Sequence, residues 1–379
     1  MNLQSVKSRE SEIAVFNLTA LWGLSEAFIG GILHTLRIPF KGMIIGSIAV
    51  LIITLLSTFS ASKGTIIKAC FVTIIIKALI SPYSPPAAYL AVLLQGLLGE
   101  LFFTGRKNIL ISSVMLGIVT SVYSSVQRII VVTILFGQDF WITVNQFPSF
   151  IMKEFSGSPG SFENLNLSLI IIIVYTGIHV IFGFIAGVFS YRISRKVIPD
   201  SLNVFQFSEE ILKELSVKIT ADSVSKPSMS GNKFYKFSRF VIYGLLILAL
   251  ISSYIFTDKG YFDSKSIWVM IIRSFLIMFL WLKVFSPLIM SVFRKKFLTE
   301  RNVYSDQAGI ILSLIPHFKI LTVYCWKISS EKNKTSGIIK KLSDFAVMLL
   351  SVVITYDFRK PDSVLNNYSE RNLKTSSLV

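Results

Sequence analysis

LWGLSEAFIGGILHTLR, residues 21–37, is the centre of the first hydrophobic segment of the chain. Gly23, Ala27 and Gly31 recur at four-residue spacing, which places three small residues on one face of a helix. In a bilayer, helices associate where small residues let their backbones approach closely. Glu26 lies beside that face, and a carboxylate there costs roughly 3 kcal/mol on insertion scales. We therefore predict that this helix is buried among other helices.

Composition places the chain among all-α, multi-pass membrane proteins. Its 379 residues are 53% hydrophobic, with a mean hydropathy of +0.65, and several apolar runs are long enough to cross a bilayer. The net charge of +17 comes from lysines and arginines between these runs and in the tail. That distribution is typical of cytoplasmic loops near anionic headgroups, so we expect no nucleic-acid partner. The two cysteines, Cys70 and Cys325, lie in different predicted regions, and we expect no disulfide.

The first half of the chain, residues 1–192, is predicted to form six membrane spans. With the N-terminus inside, basic residues such as Lys63 and Arg106 fall on the inner side, and Arg37 and Lys41 are exceptions on the outer side. The loop 137–166 carries little positive charge and is expected outside. We therefore predict a protein of the bacterial cytoplasmic (inner) membrane with both termini cytoplasmic. The predicted spans cover residues 14–34, 42–59, 65–80, 86–103, 109–136 and 167–190.

The second half is predicted to contain a polar cytoplasmic linker (193–236), a two-span segment (237–296), amphipathic cytoplasmic helices (297–358) and a disordered tail (359–379). The two spans cover residues 237–256 and 266–293. The amphipathic helices cover 306–327 and 337–355, and such helices lie in the interface or grip a partner. Their apolar faces consist of Ile311, Leu314, Ile315, Phe318 and Cys325 in the first, and Ile338, Leu342, Phe345, Leu349 and Val352 in the second.

Motifs of soluble enzymes and metal sites are missing from the sequence. It contains no GxxxxGK[ST] phosphate loop, no HExxH, no CxxC and only three histidines, so we expect no enzyme activity, metal or cofactor. Any ATP-driven process would need a separate ATPase subunit. Polar residues within apolar spans are instead candidates for a functional site. The candidate substrate-binding residues are Glu26, His34, Lys77, Gln95, Arg128, Tyr175 and His179.

Two interpretations of these residues remain open at this stage. Glu26 and Lys77 either neutralise each other and fix helix packing, or line a pocket. Lys77 and Arg128 both fall toward the outer half of the membrane, which favours an outward-facing pocket for an anionic or strongly polar small molecule. In the span 266–293, Arg273 and Lys283 are expected to reach the outer and inner interfaces with their charged ends.

The first half resembles the membrane-embedded substrate-binding (S) component of energy-coupling factor (ECF) vitamin transporters. The resemblance is strongest over residues 20–103, in the stretches LWGLSEA (21–27), GGILH (30–34) and LQGLLGEL (94–101). It implies a six-helix bundle in which Gly23, Ala27 and Gly31 dock onto a membrane coupling (T) subunit that works with ATPases. It also implies that the ligand lies near the outer face, under the loops 35–41, 81–86 and 137–166.

The second half is similar to a shortened coupling subunit, whose cytoplasmic helix pair would be 306–327 and 337–355. The short Ala-Arg-Gly signatures of that family are missing, and an accessory domain that only anchors the first half is an equal interpretation.

The leading hypothesis is ECF-type uptake of a small polar or anionic micronutrient, such as a vitamin, with membrane and ATPase subunits as partners in trans. The alternative is a membrane scaffold or assembly protein with no small-molecule ligand. An intramembrane enzyme using Glu26 or His179 as a base is the weakest hypothesis, because no second catalytic group stands at a recognisable spacing.

Overall fold

A computed structural model describes residues 3–35, 40–60, 62–81, 84–105, 108–156, 166–200, 244, 246–252, 264–293, 303–333 and 337–355. Every regular element in these ranges is a helix, which confirms the all-α class. Most of the predicted linker 193–236 and of the span 237–256, together with the tail 359–379, lies outside the described residues.

The first half contains eight α-helices and one π-helical turn. Helix α1 continues into α2 through the π-helix Ser25–Ile29. The elements are α1 (Leu3–Leu24), α2 (Gly30–Thr35), α3 (Lys41–Phe59), α4 (Thr65–Ile80), α5 (Pro86–Phe103), α6 (Ile109–Phe136), α7 (Asp139–Ser156) and α8 (Leu167–Asp200).

The described second half is also helical. Its elements are α9 (Ser264–Leu280), a second π-helix (Trp281–Phe285), α10 (Ser286–Phe293), α11 (Val303–Ser313), α12 (Ile315–Lys332) and α13 (Ile338–Thr355). The break between α11 and α12 falls at Leu314, two residues before Pro316, and the two axes differ by 51°. Proline disrupts the hydrogen bonding of a helix interior and is tolerated in the first turn, so Pro316 accounts for a break at this point.

Within the described residues, five helices are long and apolar enough to cross a membrane: Ser11–Leu33, Lys41–Phe59, Ile109–Phe136, Leu167–Val197 and Ile271–Leu288. Several spanning helices in one chain confirm a multi-pass membrane protein. The predicted spans 65–80 and 86–103 form α4 and α5, which are shorter. At 1.5 Å per residue, the 16 residues of α4 reach about 24 Å, against a hydrocarbon core of about 30 Å.

The first spanning helix is the most enclosed of the five. In its most apolar stretch 67% of the residues are buried within the protein, compared with 11% for Leu167–Val197. The first helix carries the small residues Gly23, Ala27 and Gly31 and the charged Glu26. The prediction that it is buried among other helices is therefore confirmed. The helix α8, by contrast, presents large apolar side chains such as Ile173, Ile181 and Phe184 at its surface.

Helices α6 and α8 pack closely against each other through glycines. A Cβ atom on Gly183 would lie 2.5 Å from the carbonyl oxygen of Gly117, and one on Gly187 would lie 2.5 Å from the Cα of Val114. Gly183 and Gly187 form a GxxxG pattern, which lets two backbones touch in a membrane. Sequence analysis singled out the first helix for its small residues and missed this pair. The crevice beside it, between α3, α6 and α8, leaves no room for a water molecule.

Two predicted boundaries differ from the structure. The predicted loop 137–166 contains α7, which is fixed to its neighbours by polar side chains: the indole nitrogen of Trp141 donates to Thr133 (2.9 Å), and the backbone nitrogen of Ser168 donates to Asn145 (2.8 Å). These contacts stabilise a helix despite Pro148 within it. The boundary predicted after residue 192 falls inside α8, which continues to Asp200.

The C-terminal helices pack on the first half of the chain. Helix α11 lies on α4, and α13 lies on α1 and α8. One buried apolar cluster contains Ala20 and Leu24 of α1, Ile75 of α4, and Ile311 and Phe318 from the predicted amphipathic face. Most of the apolar face predicted for residues 306–327 is therefore buried within the chain. On α13 the end of the predicted face is buried and its beginning is exposed, as at Ile338 and Leu342.

Candidate functional site

The predicted site residues fall into two groups in the structure. Glu26, Lys77 and Gln95 lie between α1, α4 and α5, whereas Arg128, Tyr175 and His179 lie on α6 and α8. The side chain of His34 is outside the described residues, so its predicted role in substrate binding stays a prediction.

Glu26 and Lys77 form an ion pair that joins the first π-helix to α4. The Lys77 ammonium donates to the Glu26 carboxylate at 2.7 Å, and the two side chains are only 7% and 3% exposed. The same ammonium lies 3.4 Å from the carbonyl oxygen of Ala88 on α5. A buried charge in an apolar environment requires such a partner. The structure therefore contains the neutralising pair, one of the two alternatives that the sequence left open.

The small-residue face of the first helix contacts α4. A Cβ atom on Gly23 would lie 2.5 Å from the Cδ1 atom of Ile76, and Ala27 is buried. At Gly31 the nearest atom to an added Cβ is the Ser81 hydroxyl oxygen, at 3.9 Å. The space beside Gly23 is thus filled by α4 of the same chain. Docking of a separate subunit on Gly23, Ala27 and Gly31 stays a prediction.

Gln95 lies on α5, seven residues after Ala88, whose carbonyl oxygen the Lys77 ammonium approaches. Its amide nitrogen approaches Gly46 of α3, and a Cβ atom on the next residue, Gly96, would lie 3.8 Å from the ring of Trp22. Trp22 precedes Glu26 by four residues, and Thr73 precedes Lys77 by four. Neither Trp22 nor Thr73 was assigned to this site from the sequence, although the four-residue spacing was visible there.

The second group surrounds the start of α3. The rings of Tyr175 and His179 have centroids 4.4 Å apart, and the ring of Phe40 lies 5.8 Å from that of Tyr175 and 5.9 Å from that of His179. The Nδ1 atom of His179 lies 2.9 Å from the carbonyl oxygen of Tyr175, and His179 is only 1% exposed. Three rings from two helices therefore form one aromatic group.

Two cations adjoin this aromatic group. Lys41 and Arg128 lie within electrostatic range of each other, and Arg128 is also within range of Tyr175. Lys41 is half-buried and Arg128 is exposed. Two like charges held close together favour an anion beside them, since their repulsion falls when an opposite charge is added. We name Phe40, Lys41, Arg128, Tyr175 and His179 the Phe40 cluster.

Phe40 has an unusual backbone conformation. Its φ angle of 62° places it in the left-handed region, and it is the positive-φ residue other than glycine in the described part of the chain. For a bulky side chain this conformation is an outlier, and strain of this kind, of order 1–3 kcal/mol, concentrates at functional sites. Sequence analysis missed Phe40, because backbone strain leaves no sequence pattern. It noted Lys41 only as an exception to the distribution of positive charge.

The helices α6 and α8 extend beyond the Phe40 cluster. Eight residues separate Arg128 from the last residue of α6, and eight separate the first residue of α8 from Tyr175. At 1.5 Å per residue, each helix therefore continues about 12 Å past the cluster. The Phe40 cluster therefore lies at the start of α3, beside parts of α6 and α8 that continue past it.

Arg273, predicted to reach the outer interface with its charged end, lies against the end of α6 in the structure. It is 1% exposed, and its Nη1 atom lies 2.5 Å from the position of a Cβ atom on Gly137, at the end of α6. A cation at the carboxyl end of a helix is stabilised by the helix dipole. Ser274, the next residue, donates to the carbonyl oxygen of Leu135 at 3.4 Å. Arg273 thus fixes α9 to α6, while Lys283 is exposed as expected.

Apolar helices of spanning length, with an ion pair buried between them, define a multi-pass helical membrane protein. Comparison of the chain with protein-family models, curated proteins and solved structures gives no match. Within the described residues, no group of three or more His, Cys, Asp or Glu side chains could hold a metal ion.

Proposed function

We propose that this chain is a membrane transport protein that captures a small anionic molecule at the Phe40 cluster. The observation that carries the proposal is that Lys41 and Arg128 lie within electrostatic range of each other, next to three clustered rings. The cations supply attraction for an acidic group. The rings offer an apolar surface for the rest of the ligand.

The geometry changes one part of the hypothesis drawn from the sequence. Lys77 is neutralised by Glu26 at 2.7 Å, so binding an anion there would first require that pair to separate. Lys41 replaces Lys77 in the proposed site, together with Arg128. Tyr175 and His179 keep their proposed roles as contacts for the ligand.

We retain ECF-type uptake as the transport mechanism, on the strength of the sequence resemblance. In the proposed orientation both termini are cytoplasmic, so the Phe40 cluster faces the outer side of a bacterial inner membrane. ATPase subunits in trans would supply the energy, because the sequence lacks a nucleotide-binding loop. The C-terminal helices would act as the contact between the bundle and those subunits.

A scaffold protein without a ligand is the second candidate. The observation that favours it is the burial of the predicted partner-gripping face within the chain itself, at residues such as Ile311 and Phe318. In that function the Glu26–Lys77 pair would serve packing alone, and the Phe40 cluster would bind nothing.

Ligand-induced stabilisation separates the two candidates. We would measure the melting temperature of the full chain in lipid nanodiscs with phenyl phosphate or benzoate, which combine a ring with an acidic group, and with uncharged benzamide. A ligand that binds only the folded state raises the melting temperature. The transport proposal expects a rise with an anionic probe in the wild type and none in Lys41→Gln/Arg128→Gln. Lys63→Gln, an exposed lysine outside the cluster, is the matched control. An identical response of the wild type and the double variant would favour the scaffold.

A further inference from the structure

Four polar atoms without protein partners lie on Glu26 and on residues of the helices that the Glu26–Lys77 pair contacts. They are one carboxylate oxygen of Glu26 (Oε1), the Thr73 hydroxyl, the Trp22 indole nitrogen and the Gln95 amide oxygen, and none has a hydrogen-bond partner among the described residues. All four side chains are more than nine-tenths buried. Buried polar groups in proteins are nearly always hydrogen-bonded, so a group of four requires an explanation.

The four atoms belong to neighbouring turns of three helices. Trp22 and Glu26 lie one turn apart on one side of the ion pair, and Thr73 and Lys77 lie one turn apart on the other. The ion pair joins those two turns at 2.7 Å. Gln95 adjoins this region through Trp22, since a Cβ atom on the residue after it, Gly96, would lie 3.8 Å from the Trp22 ring.

The chemistry of the four atoms selects the ligand. Glu26 and Gln95 offer acceptors, Trp22 offers a donor, and Thr73 offers both. A metal cation would be repelled by the Lys77 ammonium on the same carboxylate, and an anion would be repelled by Glu26. A neutral molecule that donates and accepts satisfies the set, and water bound by two to four polar groups is the usual solution in protein interiors.

The backbone supports a functional role for this region. The π-helix Ser25–Ile29 begins one residue before Glu26, and π-helical turns are frequent at functional sites. The Ser25 hydroxyl donates to the carbonyl oxygen of Trp22 at 2.9 Å, which pairs one carbonyl at the start of that turn.

We propose that water is bound beside the Glu26–Lys77 pair and makes this pair able to open. Water bound there solvates both charges as they separate, which lowers the cost of opening an ion pair inside a membrane protein. The pair is then an exchangeable contact between the first helix and α4, rather than permanent packing. This inference uses no residue of the Phe40 cluster and stands independently of anion capture.

Hydroxyl-radical footprinting tests the proposal on the full wild-type chain in lipid nanodiscs. Radicals generated from bound water by an X-ray pulse oxidise the side chains beside that water, and peptide mass spectrometry locates the products. Met43 is the matched control, because it is also buried but lines the crevice that leaves no room for water. We expect severalfold more oxidation at Trp22 than at Met43. Protection of Trp22, or equal yields at the two residues, would overturn the proposal.

A conservative variant provides the second measurement. Thr73→Val keeps the shape of the side chain and removes the hydroxyl, so it should fold and lose one water ligand. We expect the oxidation of Trp22 to fall severalfold, with Met43 unchanged. An unchanged yield at Trp22 would remove Thr73 from the water site and contradict its proposed geometry.

Discussion

The side-chain amide of Asn17 donates a 2.7 Å hydrogen bond to the backbone carbonyl of Val353, a residue 336 positions later in the chain. Asn17 lies in the first helix and is fully buried. The bond joins α1 to the last described helix, α13. It shows that the two ends of the described chain form one packed unit.

The Asn17 contact predicts a specific loss of stability. Asn17→Ala leaves the Val353 carbonyl without its donor, and an unsatisfied buried group costs about 1–3 kcal/mol. We expect the free energy of unfolding in mixed micelles to fall by that amount, and α13 to become more sensitive to limited proteolysis. Thr19→Val is the control, because the Thr19 hydroxyl bonds only within its own helix, to Val15. Equal effects of the two substitutions would argue against the Asn17–Val353 contact.

The Glu26–Lys77 pair predicts strong non-additivity. Glu26→Gln or Lys77→Met alone leaves one buried charge, and such a loss costs roughly 3–5 kcal/mol. The double variant Glu26→Gln/Lys77→Met leaves no uncompensated charge and should recover most of that stability. The measurement is equilibrium unfolding of all four proteins in a double-mutant cycle. If the two single effects simply add, the pair is not formed in the membrane.

The glycine contact between α6 and α8 predicts a difference between two glycine substitutions. Gly183→Ala introduces a methyl group 2.5 Å from the Gly117 carbonyl oxygen, whereas a Cβ atom on Gly177 meets nothing within 4 Å. Overpacking of this kind costs about 1–3 kcal/mol. Gly177→Ala should be neutral, or stabilising by up to about 1 kcal/mol through helix propensity. The melting temperatures of the two variants test this difference. A Gly183→Ala protein that melts at the same temperature as Gly177→Ala would contradict the close packing.

The small-residue face of the first helix gives a prediction about partner subunits. An added Cβ on Gly31 makes only an ordinary contact, at 3.9 Å from the Ser81 hydroxyl. Gly31→Leu should therefore leave the fold intact and weaken the co-purification of a separate membrane or ATPase subunit from native membranes. Unchanged recovery of those subunits would exclude this face as a docking site.

The sequence predicted the features that depend on local composition. Long apolar runs predicted a multi-pass helical protein, and the small residues around Glu26 predicted a buried first helix. The pairing of Glu26 with Lys77 was anticipated as an alternative, because a charge in an apolar run requires an opposite charge nearby. The GxxxG pattern at Gly183 was present in the sequence but was not recognised.

Other features depend on contacts between distant residues. The contact of Asn17 with Val353 and the burial of Arg273 at the end of α6 have no local sequence pattern. Helix α7 was predicted as part of a loop because residues 137–166 are rich in Gly, Ser and Asn, yet contacts to α6 and α8 stabilise it. The ring of Phe40, whose backbone is left-handed, contacts Tyr175 and His179 of α8, far away in the sequence.

Anion capture at the Phe40 cluster is tested most directly by the small molecules that the protein carries from its native membrane. Wild type, Lys41→Gln/Arg128→Gln and the Lys63→Gln control would be purified in parallel, denatured, and their extracts compared by negative-ion mass spectrometry. We predict an anionic compound that is present with the wild type and the control and is largely lost from the double variant. Identical extracts from all three proteins, or no such compound with the wild type, would contradict anion capture at Lys41 and Arg128.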